Sequence, residues 1–257
     1  MSLLSVQALT KAFGGVIAAH NVTFALEAGT LLAMIGPNGA GKSTIFNMVG
    51  GQLKPDSGRV VLAGHDITGL APRRIWRLGV GRTFQVAQTF VSMTVAENVQ
   101  MALISHHHRT RAWWPAAARL YHTEALGLLE RVGMGGAADR PSSELAYGDV
   151  KRVELAIALT GAPKLLLMDE PTAGMAPKER AQLMQLVRDI AHTSGIGVLF
   201  TEHDMDAVFA HADRILALVG GKIVAAGRPE EVRTNRRVRE VYLGPALKLP
   251  QANVPAG

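Results

Sequence analysis

Apolar residues along this chain come in short runs separated by glycine, proline and polar turns, and the runs alternate between strand-like and helix-like spacing. Residues 4–9 and 22–26 are brief β-like runs flanking a turn at Gly14-Gly15. Residues 31–35 are apolar without interruption, which predicts a strand buried on both faces. Beyond a glycine-rich loop, Ile45, Phe46, Met48 and Val49 recur at helical spacing and stop at Gly50-Gly51. Residues 55–58 predict a turn, and 59–63 a strand closing at Gly64-His65-Asp66. Pro72 is placed as the first residue of a helix through Ile75 and Leu78. Residues 80–84 read as a strand with Gln85 at its end, and Thr94 with Glu97 has the spacing of a capping box that starts a helix through Ile104.

The helical pattern breaks over residues 106–115, returns at 120–132 and is lost again from 133 to 141, so about 86–160 is expected to be a largely helical insertion in an α/β core. Two further apolar runs end in chemistry-bearing residues: 165–168 runs into Asp169-Glu170, and 198–201 is followed by His203. Residues 214–226 predict a hairpin around Gly220-Gly221. Arg228-Pro229-Glu230-Glu231 opens a basic C-terminal helix. Its Arg233, Arg236, Arg237 and Arg239 form a solvated face, or one turned to lipid or a partner. The end after Gly244 is expected to be loose.

The glycine-rich loop changes the picture most. Gly36, Pro37, Asn38, Gly39, Ala40, Gly41, Lys42, Ser43 and Thr44 spell G-x-x-x-x-G-K-S-T between a predicted buried strand and a helix. Glycines let backbone N–H groups approach phosphate oxygens, and the helix N-terminus adds partial positive charge. Lys42 would reach the β- and γ-phosphates, and Ser43 would hold Mg²⁺. A strand ending in Asp169-Glu170 delivers carboxylates to the sheet edge where ligands bind, Asp169 suited to Mg²⁺ and Glu170 to polarising an attacking water. His203 lies just past another such strand, where contact with the γ-phosphate is expected. Phe13, in the first turn, is either core or placed to stack on an adenine.

Composition narrows the remaining choices. In 257 residues there is room for one large domain or a core with an inserted subdomain. Cysteine is absent, which excludes disulfides, Cys-based zinc sites and thiol catalysis. No apolar run approaches a membrane span, and no secretion signal is evident, so a cytosolic location is expected. The net charge of +6 suits nucleotide, nucleic acid or lipid headgroups without choosing among them, and the 5% aromatic content does not suggest a base-stacking surface. Three adjacent histidines, His106, His107 and His108, cannot share one face of a helix or strand, and no carboxylate nearby completes a ligand set. A solvated loop carrying two partly buried tryptophans, Trp113 and Trp114, is expected there.

Taken together, the phosphate loop, Gln85, the Asp169-Glu170 strand end and His203 resemble the ATP-binding subunits of ABC transporters over nearly the whole chain. That family carries a Leu-Ser-Gly-Gly-Gln signature at a helix start, and the matching place here holds Leu145, Ala146, Tyr147, Gly148 and Asp149. The resemblance implies a RecA-like P-loop NTPase fold: a parallel-sheet core with an antiparallel β subdomain and an inserted α-helical subdomain, forming one domain over 1–244 with a tail at 245–257. It implies ATP with Mg²⁺ bound between two head-to-tail subunits, 145–149 of one facing the phosphate loop of the other. Gln85 would sense the metal and the attacking water, Asp149 would accept from a ribose hydroxyl, and Ala146 lacks the hydroxyl usual at its position. Ala176 stands where the family places Asp.

Leu145 to Asp149, Arg82-Thr83-Phe84-Gln85, Glu170 to Met175, Thr201 to Met205 and Val241 to Gly244 together are similar to the larger ATPase subunit of branched-chain amino-acid importers. That implies a homodimer or a heterodimer with a paralogous ATPase, two membrane-spanning permease subunits and, indirectly, an extracytoplasmic solute-binding protein. It places the chain peripherally on the cytoplasmic face of the membrane, with no nucleic acid expected. Two other readings are a non-transport ABC ATPase acting on DNA or ribosomes, and a P-loop kinase. The first expects two cassettes or a long coiled coil, and neither is present. The second expects no signature element.

Overall fold

Leu31–Ile35 forms β3, and all five of its residues are buried. In this computed structural model, which describes residues 2–83, 89–107 and 120–243, β3 sits inside a six-stranded sheet. Its neighbours are β8 (Gly197–Thr201) and β9 (Arg214–Val219), both parallel to it. Beyond β8 come β7 (Leu165–Asp169) and β6 (Val80–Thr83), again parallel, while β10 (Lys222–Gly227) adds an antiparallel edge next to β9. A second, four-stranded antiparallel sheet has the order β2 (Val16–Leu26), β1 (Leu4–Phe13), β4 (Ser57–Leu62), β5 (His65–Asp66).

Alternation along the parallel strands sorts the core into two layers. Leu32, Met34, Leu165, Leu167, Leu199, Leu216 and Leu218 face the antiparallel sheet and helix α1 (Lys42–Val49). Ala33, Leu166, Met168, Val198, Phe200 and Ile215 face the opposite way. There they meet α3 (Val95–His106), α4 (His122–Arg131), α5 (Tyr147–Leu159) and α6 (Pro177–Ser194). Each fully buried Leu, Val or Phe is worth about 1.5–3 kcal/mol of removed apolar surface, so this two-sided burial fixes the strand register. A one-residue slip would exchange the two faces. Short helices α2 (Pro72–Arg77), α7 (Met205–His211), α8 (Pro229–Thr234) and α9 (Arg236–Val238) complete the chain.

Several local expectations are met in detail. The capping box at α3 has both its bonds, Thr94 Oγ1 accepting from Glu97 N at 3.2 Å and Glu97 Oε2 accepting from Thr94 N at 2.8 Å. Pro72 opens α2, and the hairpin at Gly220-Gly221 joins β9 to β10. Between β6 and β7 the described residues hold helices and helical turns and no strand.

Others are corrected. The first two strands run ten and eleven residues, well beyond 4–9 and 22–26, so Phe13 ends β1 rather than lying in the turn. Register shifts after Val6 and Leu9 break the alternation that would have marked β1 as one strand. Ser57 and Gly58 belong to β4, and His65-Asp66 pairs back on Val61 and Leu62 instead of closing a turn. Helix α3 continues to His106, whose ring lies edge-on to Trp76, while His107 stacks on Tyr121. The basic C-terminal helix is broken: Asn235 is extended and its side chain accepts from the N–H groups of Arg237 and Val238, starting a new turn. Gln85, His108, Trp113, Trp114 and the tail 245–257 lie outside the described residues.

Candidate nucleotide site

The C-terminal ends of β3, β7 and β8 lie side by side, the edge at which open parallel sheets present ligand-binding groups. From β3 the chain enters the loop 36–41. Gly39 and Gly41 have φ of +79° and +99°, left-handed values open to glycine. Ala40 N donates to the Pro37 carbonyl at 3.1 Å, curling the loop ahead of α1. A Cβ on Gly41 would overlap the Ala18 carbonyl oxygen, so the loop packs without clearance on β2. From behind it is fastened to the β9–β10 turn, where Gly221 N donates to the Ala40 carbonyl at 3.0 Å and His20 N donates to the Gly221 carbonyl at 2.8 Å.

Lys42, 7% exposed, donates to the carbonyl oxygens of Gly36 and Pro37. Burial lowers its pKa, and the nearby Glu170 and Asp169 carboxylates oppose that shift. The ammonium therefore lies within the field of both acids. Phe13, Asn38, Gly39, Ala40, Gly41, Lys42, Ser43, Thr44, Glu170 and His203 line one cavity of about 260 Å³. Phe13 is 50% exposed at its rim, so it is surface rather than core.

Glu170 has φ +48°, uncommon for a residue with a side chain and worth on the order of 1 kcal/mol or more of strain. Its N–H is shared between the carbonyl and the hydroxyl of Thr201, each at 3.1 Å. That hydroxyl donates to Asp169 Oδ1 at 2.6 Å. His203 Nε2 approaches Glu170 Oε1 at 2.5 Å. Asp169 and Ser43 offer only oxygen donors, a carboxylate and a hydroxyl, the set that Mg²⁺ takes together with phosphate and water.

Leu145, Ala146, Tyr147, Gly148 and Asp149 lie elsewhere. Ala146 is the N-cap of α5 and makes no side-chain capping bond; Gly148 and Asp149 are in the first turn. Ala146, Gly148 and Asp149 border a cavity of about 120 Å³ with Arg152, Met175, Glu179 and Gln182, sharing no lining residue with the phosphate-loop cavity. Within one chain the two cavities are separate.

Thr201, Glu202, Thr172 and Arg82 appear in the sequence only within the motifs that carry the resemblance, with no part given to any of them. Arg82 lies over the Phe46 ring at 5.1 Å and donates to Asn47 Oδ1 at 2.9 Å; burial lowers its pKa against the pull of Asp169. An arginine in a strand beside the acid pair was a usable signal. The threonine pair was not, because its partners lie about thirty residues away in sequence.

The family model for ABC transporters matches residues 19–173, more than half of the chain. The chain belongs to the ABC transporter family. A second model, for branched-chain amino acid ATP-binding cassette transporters, matches residues 222–244. The high-affinity branched-chain amino acid transport ATP-binding protein LivG of Salmonella typhimurium is 39% identical over 95% of this chain and 98% of its own length. Its counterpart BraF of Pseudomonas aeruginosa is 38% identical over 95% and 98%. A crystal structure of the ADP conformation of an ATP-binding cassette of an ABC transporter superposes with a TM-score of 0.83 at 33% identity, covering 95% of this chain and 99% of that one. The protein is a nucleotide-binding cassette and an ATPase. Among the described residues no helix is long and apolar enough to cross a membrane.

Proposed function

We propose that this cassette supplies the energy for a membrane importer of branched-chain amino acids or related small polar solutes. The observation that carries the reading is likeness to LivG and BraF over 95% of the chain, together with the match of residues 222–244 to the branched-chain amino acid cassette model.

The cassette is one ATPase domain over 1–244, with the helical unit of about 86–160 inserted. Loop amides and Lys42 hold the phosphates of ATP. Ser43 and Asp169 would hold Mg²⁺, which would supply neutralisation of phosphate charge. Glu170 is the general base and orients water, and His203 steadies both Glu170 and the γ-phosphate. Phe13 stacks on the adenine. Gln85 senses metal and water and relays that state into the helical unit. Residues 145–149 face the phosphate loop of a second chain, identical or paralogous. The separation of the two cavities supports this, because neither borders the other within one chain. The dimer sits on the cytoplasmic face of two membrane-spanning subunits, which an extracytoplasmic solute-binding protein serves.

The test is to purify the tagged chain from its own detergent-solubilised membranes and identify the co-purifying subunits by mass. Two multi-span proteins and an ATPase partner are expected. Recovery with ribosomes or DNA and without membrane partners would overturn the importer reading while leaving the ATP site standing.

A further inference from the structure

Four consecutive residues, the last of β8 and the three after it, each hold a different point of the chain from the end of β7 onward. Thr201 bonds to Asp169, His203 meets Glu170, and Asp204 pairs with Arg180, which also donates to the Met175 carbonyl at 3.2 Å. The fourth is Glu202, to which the proposed chemistry gives no part. It is 4% exposed. Its Oε1 accepts from Thr172 N at 3.0 Å and from Thr172 Oγ1 at 2.7 Å, and its Oε2 accepts from His203 N at 3.2 Å.

A carboxylate so deeply buried is unfavourable unless several donors satisfy it, and an apolar residue would end a buried strand more cheaply. Here three donors come from the two loops that carry Glu170 and His203. The same segment is bonded at Glu170 N, which donates to Thr201, and internally by Ala173 N and Met175 N, which donate to the Glu170 and Thr172 carbonyls at 3.1 Å each, while Glu202 is what ties Thr172 to the loop after β8. Glu170 is in a strained left-handed conformation, and Ala176, the N-cap of α6, makes no side-chain capping bond.

We propose that Glu202 is a positioning residue that clamps Thr172 to the His203 backbone, so that Glu170 and His203 keep one relative geometry through turnover. This rests on the reading of Glu170 and His203 as the catalytic pair. Glu202 itself lines neither the phosphate-loop cavity nor the one beside α5. Its carboxylate makes residues 170–172 and 202–203 move as one body, and the loop toward Met175, which borders the cavity beside α5, moves with them.

The test is steady-state ATPase kinetics of the cassette assembled with its membrane subunits, alongside nucleotide binding and thermal melting. Thr172→Val keeps the side-chain shape and removes the hydroxyl; Thr172→Ser keeps the hydroxyl. Glu202→Gln keeps the size and removes the charge. Loss of a hydrogen bond to a charged group predicts that Thr172→Val and Glu202→Gln each lower kcat about tenfold or more. KM for ATP should stay within about twofold, Thr172→Ser should turn over normally, and the double variant should be no worse than the poorer single one. Normal kcat in folded Thr172→Val or Glu202→Gln overturns the proposal. So does a fall in kcat matched by equal losses of nucleotide affinity and melting temperature, which would mark the pair as packing only. Glu170→Gln is the control. If that variant still turns over, the underlying catalytic assignment fails; if it is dead while Thr172→Val is normal, only the clamp fails.

Discussion

His203 Nε2 and Glu170 Oε1 lie 2.5 Å apart, joining the residue just past β7 to the second residue past β8. The contact holds the Glu170 carboxylate at the rim of the cavity that Lys42 and Ser43 also line. Replacing Glu170 with Gln keeps the size of the side chain and its bond to His203, but removes the proton acceptor. ATP binding is expected to persist while turnover falls by about 10²–10⁴-fold, the usual contribution of a general base. Undiminished hydrolysis by the purified Glu170→Gln protein would sink the assignment.

Phe13 stands at the mouth of the same cavity with half of its surface exposed, and Lys11 Nζ lies 5.7 Å from its ring. An aromatic left open beside a nucleotide cavity gains by stacking on a base. Phe13→Ala should weaken ATP binding by about 1–3 kcal/mol, the range for one base on one ring. The melting temperature should scarcely change, since little buried area is lost. Equal affinity for ATP and for inorganic triphosphate in the wild type would count against base stacking.

Gly41 has a backbone that L-residues rarely adopt and no space for a Cβ against Ala18. Gly41→Ala is therefore expected to destabilise the fold by at least about 1 kcal/mol, beyond the range seen where alanine fits. It should also lose nucleotide binding, because the loop can relieve the overlap only by moving its amides. Titration with a fluorescent ATP analogue reads the second effect and denaturant unfolding the first.

His211, at the end of α7, has its pKa lowered by burial and then by the Arg188 guanidinium, and its Nδ1 is buried with no hydrogen-bond partner. A histidine with a lowered folded-state pKa stabilises the fold fully above its unfolded value of 6.5, and that stability is lost as pH falls through the lower folded value. Melting temperature should accordingly decline on acidification below about 6.5, and His211→Gln should decline less over the same interval. Parallel pH profiles for the two proteins would remove His211 from the account.

How much of this was legible in the sequence depends on how far each determinant reaches. Residues 31–35, 165–168 and 198–201 were readable because burial on both sheet faces writes itself locally as an unbroken apolar run. The phosphate loop was readable because its shape needs particular residues in succession. The first β-strand was not, since Ala8 has φ +49° and the register shifts around it, so polar and apolar positions fall out of step. Asn235 as a new N-cap was a usable signal that the arginine-rich pattern obscured. Thr201 and Glu202 gave no signal of their kind, because a hydroxyl or carboxylate at a strand end means nothing until its partner, thirty residues away, is known.

The attachment of Ala40 to Gly221 carries a consequence for how the protein is made. The most recognisable motif in the chain is braced by a residue far downstream of it, so a nascent chain that has completed α1 still lacks the bond that backs its phosphate loop. At about 5–20 residues per second of synthesis, roughly ten seconds or more separate the two. Through that interval the emerging loop has its sequence but not its support. Nucleotide can therefore reward folding only after the β9–β10 turn has left the ribosome.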